Sequence, residues 1–97
     1  MKAWDVSARM MFAGVPVLWI VECKLWNRAV PKEKASVLKD IVNDLGADRG
    51  LLMSERGFQS GAVNLAAAKN ITLSSLDELR ANATEQLMQS RVRIETR

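Results

Sequence analysis

The residue pattern predicts an α/β domain: a mixed β-sheet, an antiparallel hairpin plus parallel crossover strands, flanked by helices. Three observations carry this. Residues 4–12 and 15–24 read as two strands around a tight turn at Ala13-Gly14. The second of these runs is apolar on both faces as far as Val21, which suits a central strand covered on both sides. Beyond it, helical and strand-like segments alternate, and a helix between strands favours a parallel crossover.

Each element has its own signal. Glycine supplies the hairpin turn, and Val, Ile and Trp enrich the second strand. Pro16 sits near a strand start, where its missing N–H is tolerated. After a connector from Leu25 to Pro31, proline opens a helix at its first turn. Val37, Leu38, Ile41, Val42 and Leu45 recur there at helical spacing, and Gly46 is the expected stop. A short strand is predicted over 50–54, then the loop Glu55-Arg56-Gly57-Phe58. A second helix is expected from Gln59 or Ser60 to Lys69, packing Ala62, Val63, Leu65 and Ala66. Ile71-Thr72-Leu73 reads as a brief strand. Ser75 and Glu78 then form a capping-box pattern for a third helix carrying Leu76, Leu79, Ala83 and Leu87. The expected order is β-β-α-β-α-β-α, a single domain over 1–97, with 91–97 as a tail free to fray.

Composition bounds the chemistry. At 97 residues and 48% hydrophobic the chain has one modest core. Fourteen Lys and Arg against eleven Asp and Glu leave a formal charge of +3, which permits a polyanionic partner without demanding one. A single cysteine, Cys23, excludes an intrachain disulfide and an all-Cys zinc site. The absence of histidine excludes Ser-His-Asp, Cys-His and His-metal chemistry. Any hydrolysis must then use carboxylates and lysine, with or without a hard metal ion. The strongest apolar run, Val15 to Val21, is far shorter than the ~20 residues of a membrane helix. No leader pattern is clean, because Asp5 and Arg9 interrupt the N-terminal apolar stretch. A cytoplasmic protein without a membrane partner is expected.

One constellation stands out. Glu22 and Lys24 are two apart on a strand, so both leave the same face. The Ala13-Gly14 turn pairs Phe12 with Val15, and that register places Asp5 opposite Glu22, with side chains about 5 Å apart. Two carboxylates so placed repel unless a cation bridges them. Magnesium accepts such oxygens, with manganese as a substitute, and the backbone carbonyl of Cys23 is a further possible ligand. Lys24 beside the metal can orient a water or stabilise charge on a phosphate, which makes metal-assisted phosphodiester hydrolysis the chemistry to expect. Against this stands the plain reading that alternating charges at a strand end form a solvated edge.

Other residues carry weaker signals. Cys23 reads as a small packing residue, since it has no histidine partner. Trp19 and Trp26 either stack on bases or pack in a core, and packing is favoured. Lys32 and Lys34 begin the first helix just after the expected site, where they either touch DNA phosphates or form a solvated helix end. Gln59 and Ser60 read as helix-capping residues and Gly57 as a backbone requirement. Met10-Met11-Phe12 form an apolar patch.

The stretch Trp19-Ile20-Val21-Glu22-Cys23-Lys24-Leu25-Trp26 resembles the core of the PD-(D/E)xK nuclease superfamily, specifically its Mrr-like type IV restriction endonuclease group. There an apolar strand ends in Glu-x-Lys, often with Cys between, and a valine such as Val30 opens a helix soon after. Gly46 to Ser54 is similar to that group's next strand, Gly57-Phe58 with Gly61-Ala62 to its loop and helix entry, and Ile71-Thr72-Leu73 to its last strand. The resemblance implies a restriction-endonuclease-like fold, metal binding by Asp5 and Glu22, catalysis assisted by Lys24, and magnesium-dependent hydrolysis of DNA. It also implies a domain short at its N-terminus, because the group usually has a helix before the Asp strand. Exposed sheet surface is then expected to be covered by a second copy, in a homodimer or larger oligomer. The alternatives are a non-catalytic or truncated module of the same fold acting through DNA or protein contact, and a dimeric structure-specific resolvase.

Overall fold

The computed structural model describes residues 6–24, 26–78, 80–81 and 93–96. Its elements run β1 (Val6–Phe12), β2 (Val15–Lys24), α1 (Lys32–Leu45), β3 (Arg49–Ser54), α2 (Ser60–Ala68), β4 (Ile71–Ser74) and β5 (Arg93–Thr96). The strands form one mixed sheet in the order β4-β3-β2-β1-β5. β1 is antiparallel to β2 and to β5, whereas β2, β3 and β4 run parallel. This is the α/β architecture expected from the sequence: a hairpin joined to two right-sized crossovers through α1 and α2.

The hairpin sets the register. Ala13 and Gly14 both take positive φ, 52° and 79°. That combination belongs to the turn whose twist matches paired strands. Phe12 therefore pairs with Val15, and the ladder continues without a bulge to Val6 opposite Val21. Downstream, α1 ends at Gly46, in the left-handed conformation at φ 64°, where the Ala47 N–H donates to the Val42 carbonyl at 2.9 Å. Pro31 is the N-cap, one residue before the helix, and its extended backbone provides no side-chain acceptor.

Burial separates the two faces of the sheet. Ile20 and Leu52 face α1 and α2, joining Val30, Ala35, Leu38, Val42, Ala62, Ala66 and Ile71 in the larger core. Val21, Leu51 and Met53 pack on the opposite face with Val6, Cys23 and Leu76. β2 is thus a central strand buried on both sides, as its sequence implied. The inward stripe of α1 is Ala35, Leu38 and Val42, so Val37 and Leu45, though helically spaced, fall on its exposed flanks. On α2 the small Ala62 and Ala66 are buried and Val63 is exposed. Gly50 lies under α1, where an added Cβ would sit 2.8–2.9 Å from Ile71, Leu38 and Val42.

Two boundaries depart from the sequence reading. Residues 93–96, expected within a fraying tail, form β5 alongside Val6 to Arg9. A charged tetrapeptide of this kind becomes a strand through its pairing partner and not through its own propensity. The third helix is seen only at 76–78 and 80–81, begun by the Glu78 N–H donating to Ser75 Oγ at 3.1 Å. Leu79, Ala83 and Leu87 lie outside the described residues, as do Trp4, Asp5 and Leu25. No helix among the described residues is long and apolar enough to cross a membrane.

Candidate functional site

The three parallel strands end together at Lys24, Ser54 and Ser74. In open α/β sheets, ligands gather at the carboxyl ends of such strands. Glu22 and Lys24 lie here, on the face that carries α1 and α2: Glu22 pairs with Leu52, which is buried in the larger core. Glu22 is only 8% exposed. Lys24 Nζ lies 3.2 Å from Glu22 Oε1. A carboxylate this buried needs a compensating charge, and the lysine two residues on supplies it. Strand alternation makes this local geometry inevitable once β2 is pinned between β1 and β3.

Cys23 points the other way. Its half-buried side chain packs in the second cluster with Val21, Leu51 and Met53, as the packing reading expected. Ser54, opposite Lys24, is buried and its Oγ accepts the Arg56 N–H at 3.1 Å, holding the turn after β3. The two connectors at this end are tied together. Val30, fully buried, bridges Phe58; its N–H donates to the Gly57 carbonyl at 3.0 Å and its carbonyl accepts the Gln59 N–H at 2.9 Å. Gly57 stands at φ 79°, the conformation for which a glycine was expected.

The sequence reading missed Arg28. Its guanidinium carbon lies 4.9 Å from the centre of the Trp26 ring, with Lys34 Nζ at 5.4 Å and Lys24 Nζ at 5.8 Å. The available signal was a Trp-x-Arg pair just past Glu-x-Lys. Lys32 and Lys34, grouped by the sequence, diverge: residues two apart on a helix do not share a face. Lys34 turns to Trp26, whereas the Lys32 stem lies along α2, 3.1 Å from where a Gly61 Cβ would be. Trp19 and Trp26 are both half-buried.

A divalent metal is tested by the donors at hand. Glu22 presents a buried carboxylate, held by Lys24 through Oε1. That suits a hard cation. Among the described residues no group of three acidic, cysteine or histidine side chains converges, and Asp5 lies outside them.

The restriction endonuclease family model, that of the Mrr catalytic domain, matches residues 4–82. No curated protein and no solved structure gives a significant match. The matched segment contains the hairpin, Glu22, Lys24 and the strands that follow. Nuclease families of this kind use divalent metal ions and act on DNA. With the mixed sheet and a buried Glu-x-Lys pair at its carboxyl end, the match over most of the chain shows that the protein belongs to the restriction endonuclease family.

Proposed function

We propose that the protein is a metal-dependent DNA endonuclease whose site is built on Glu22 and Lys24, with Asp5 as the second carboxylate. The observation that carries this reading is the buried Glu22 carboxylate, paired with Lys24 at the carboxyl end of the parallel strands, in a chain of this family. Asp5 enters as the next step of the observed register, one pair beyond Val6 and Val21. Asp5, Glu22 and the Cys23 carbonyl would hold the ion, with magnesium favoured and manganese able to replace it. When bound, the metal supplies Lewis-acid polarisation and lowers the pKa of a water. Hydrolysis would add one water across one P–O ester bond, leaving a phosphomonoester and a hydroxyl. Lys24 donates to a phosphoryl oxygen as negative charge builds there. Glu22 orients Lys24 and would be among the residues that hold the ion. A DNA substrate fits a cytoplasmic protein.

Plasmid nicking tests this. Glu22→Gln and Lys24→Ala should each lower magnesium-dependent nicking by about 100-fold or more, by analogy with loss of a single transition-state donor. Chelator should abolish it. Nicking that survives both substitutions, or survives chelator, overturns the assignment. A second reading, a non-catalytic DNA-binding module of the same fold, is favoured by the cations gathered at Trp26, which bind without cutting. It predicts duplex binding with no metal-dependent cleavage.

We also propose a homodimer, as two sites suit two strands. Its surface is the hairpin tip, where Met11, Phe12 and Val15 are 60%, 72% and 59% exposed. Among the described residues β5 pairs with β1 from Val6 to Arg9, and the exposed apolar tip lies beyond that pairing.

A further inference from the structure

We propose that Trp26, Arg28 and Lys34 form a cradle for a backbone phosphate of the DNA strand entering the Glu22–Lys24 site. The proposal rests on the nuclease reading for its substrate, and on separate residues for its geometry. Three cationic groups stand within 5.8 Å of one indole ring. Of these, Lys24 has a carboxylate partner, Glu22. Arg28 and Lys34 make no ion pair among the described residues. The ring's electron-rich face attracts cations but does not neutralise them, and the groups repel one another. An anion in their midst reverses that repulsion. Arg28 is exposed and Lys34 partly so, which leaves the cradle open to a large ligand.

The surroundings fit a phosphate better than a base. A ring approached by three cations is occupied in organising them, and is not a bare stacking platform. Lys34 belongs to the first turn of α1, whose N-cap, Pro31, offers no side-chain acceptor to the leading N–H groups. The Lys34 N–H donates to the Pro31 carbonyl at 3.2 Å, and the positive end of the α1 dipole adds to the cationic potential against the single acidic residue of that turn, Glu33. The connector that carries Trp26 and Arg28 ends at Val30, pinned to Gly57 and Gln59 by backbone hydrogen bonds. The cradle is thereby built before the ligand arrives. Trp26 follows Lys24 by two residues, so a phosphate held here is a near neighbour of the one to be cut. Phosphate contacts of this kind fix the position of a strand and carry no base information.

The test is binding of the full chain to a labelled random-sequence duplex in chelator, so that nothing is cut, followed by anisotropy from about 50 to 200 mM salt. Each phosphate contact contributes about 0.9 to the slope of log affinity against log salt. Arg28→Gln/Lys34→Gln should flatten the slope by between about 1 and 2 and weaken binding about tenfold or more at low salt. Trp26→Ala should flatten it too, because the cations lose their support. Arg28→Lys should restore most of the slope. Lys39→Gln, on α1 but paired with Asp40, is the control and should change the slope least. An unchanged slope in Arg28→Gln/Lys34→Gln, with circular dichroism matching the parent, overturns the cradle. A base-dependent loss on Trp26→Ala alone, with the cations dispensable, overturns it in favour of stacking. Nicking by the parent chain separates the two readings: a parent that binds with the expected slope changes but never cuts sinks the nuclease and leaves the cradle standing. A parent that cuts while the double variant keeps its slope sinks only the cradle.

Discussion

Glu22 and Lys24 are not equivalent in their cost to the fold, although both stand in the same ion pair. Glu22 is buried, whereas Lys24 has a long stem and a partly exposed head. Removing the lysine leaves a buried carboxylate with no counter-charge. Neutralising the glutamate leaves an ammonium that can turn to water. Lys24→Ala should therefore destabilise the chain by about 1–3 kcal/mol, more than Glu22→Gln, because stranding a buried charge costs more than losing a pair. Adding Glu22→Gln to Lys24→Ala should recover part of that loss, which urea titration of the two singles and the double would reveal. Gly50 carries a different constraint at the same scale. A methyl there collides with Leu38, Val42 and Ile71 at under 3 Å. Gly50→Ala should cost about 1–3 kcal/mol as an overpacked core, read as a lowered melting temperature.

At the scale of elements, the hairpin shows what local chemistry can specify. Its turn residues and its register were legible in the sequence, because each depends on neighbours a few residues away. The turn is nevertheless imperfect: Ala13 stands at φ 52°, which an alanine resists. Ala13→Asn makes the Asn-Gly pair that this turn prefers and should stabilise the chain by up to about 1 kcal/mol, with the chemical midpoint raised and the slope unchanged. α1 was legible from its spacing and its terminal glycine. Its inward face was less so, since Ala35 is small enough to be overlooked while Val37 is apolar yet exposed. β5 was not legible, because its strand character comes from pairing with β1 and not from its own four residues. Within the site, Glu22 and Lys24 could be found from the two-residue period of a strand. Arg28 could not, because it reaches Trp26 through an irregular connector that has no period.

At the scale of the whole molecule, the sheet separates stability from chemistry. The larger core lies between the sheet and the two helices, while the Glu22–Lys24 pair stands where the parallel strands end. The hairpin tip is at the opposite end of β2 from Lys24. A change at the tip should therefore alter assembly without altering the site. Met11→Lys is expected to shift sedimentation toward the monomer and leave metal-dependent nicking per monomer on a single-stranded substrate within about twofold, since distant sites behave independently. A monomer in the parent chain at high micromolar concentration, or a variant that sediments like its parent, removes the proposed dimer.

The placement of β5 beside β1 has a consequence for how the chain comes to exist in the cell. During synthesis the hairpin leaves the ribosome early and can close within microseconds. Its outer neighbour is made after every other described element. Throughout that interval the N–H and C=O groups of Val6 to Arg9 on that side have no strand to bind, and an open edge of this kind invites pairing with other nascent chains. The chain thus passes through a vulnerable infancy, in which a chaperone able to shield the edge, or slow translation of the last codons, would decide the yield of soluble protein. Deleting residues 93–97 should make that state permanent and drive the product into the pellet.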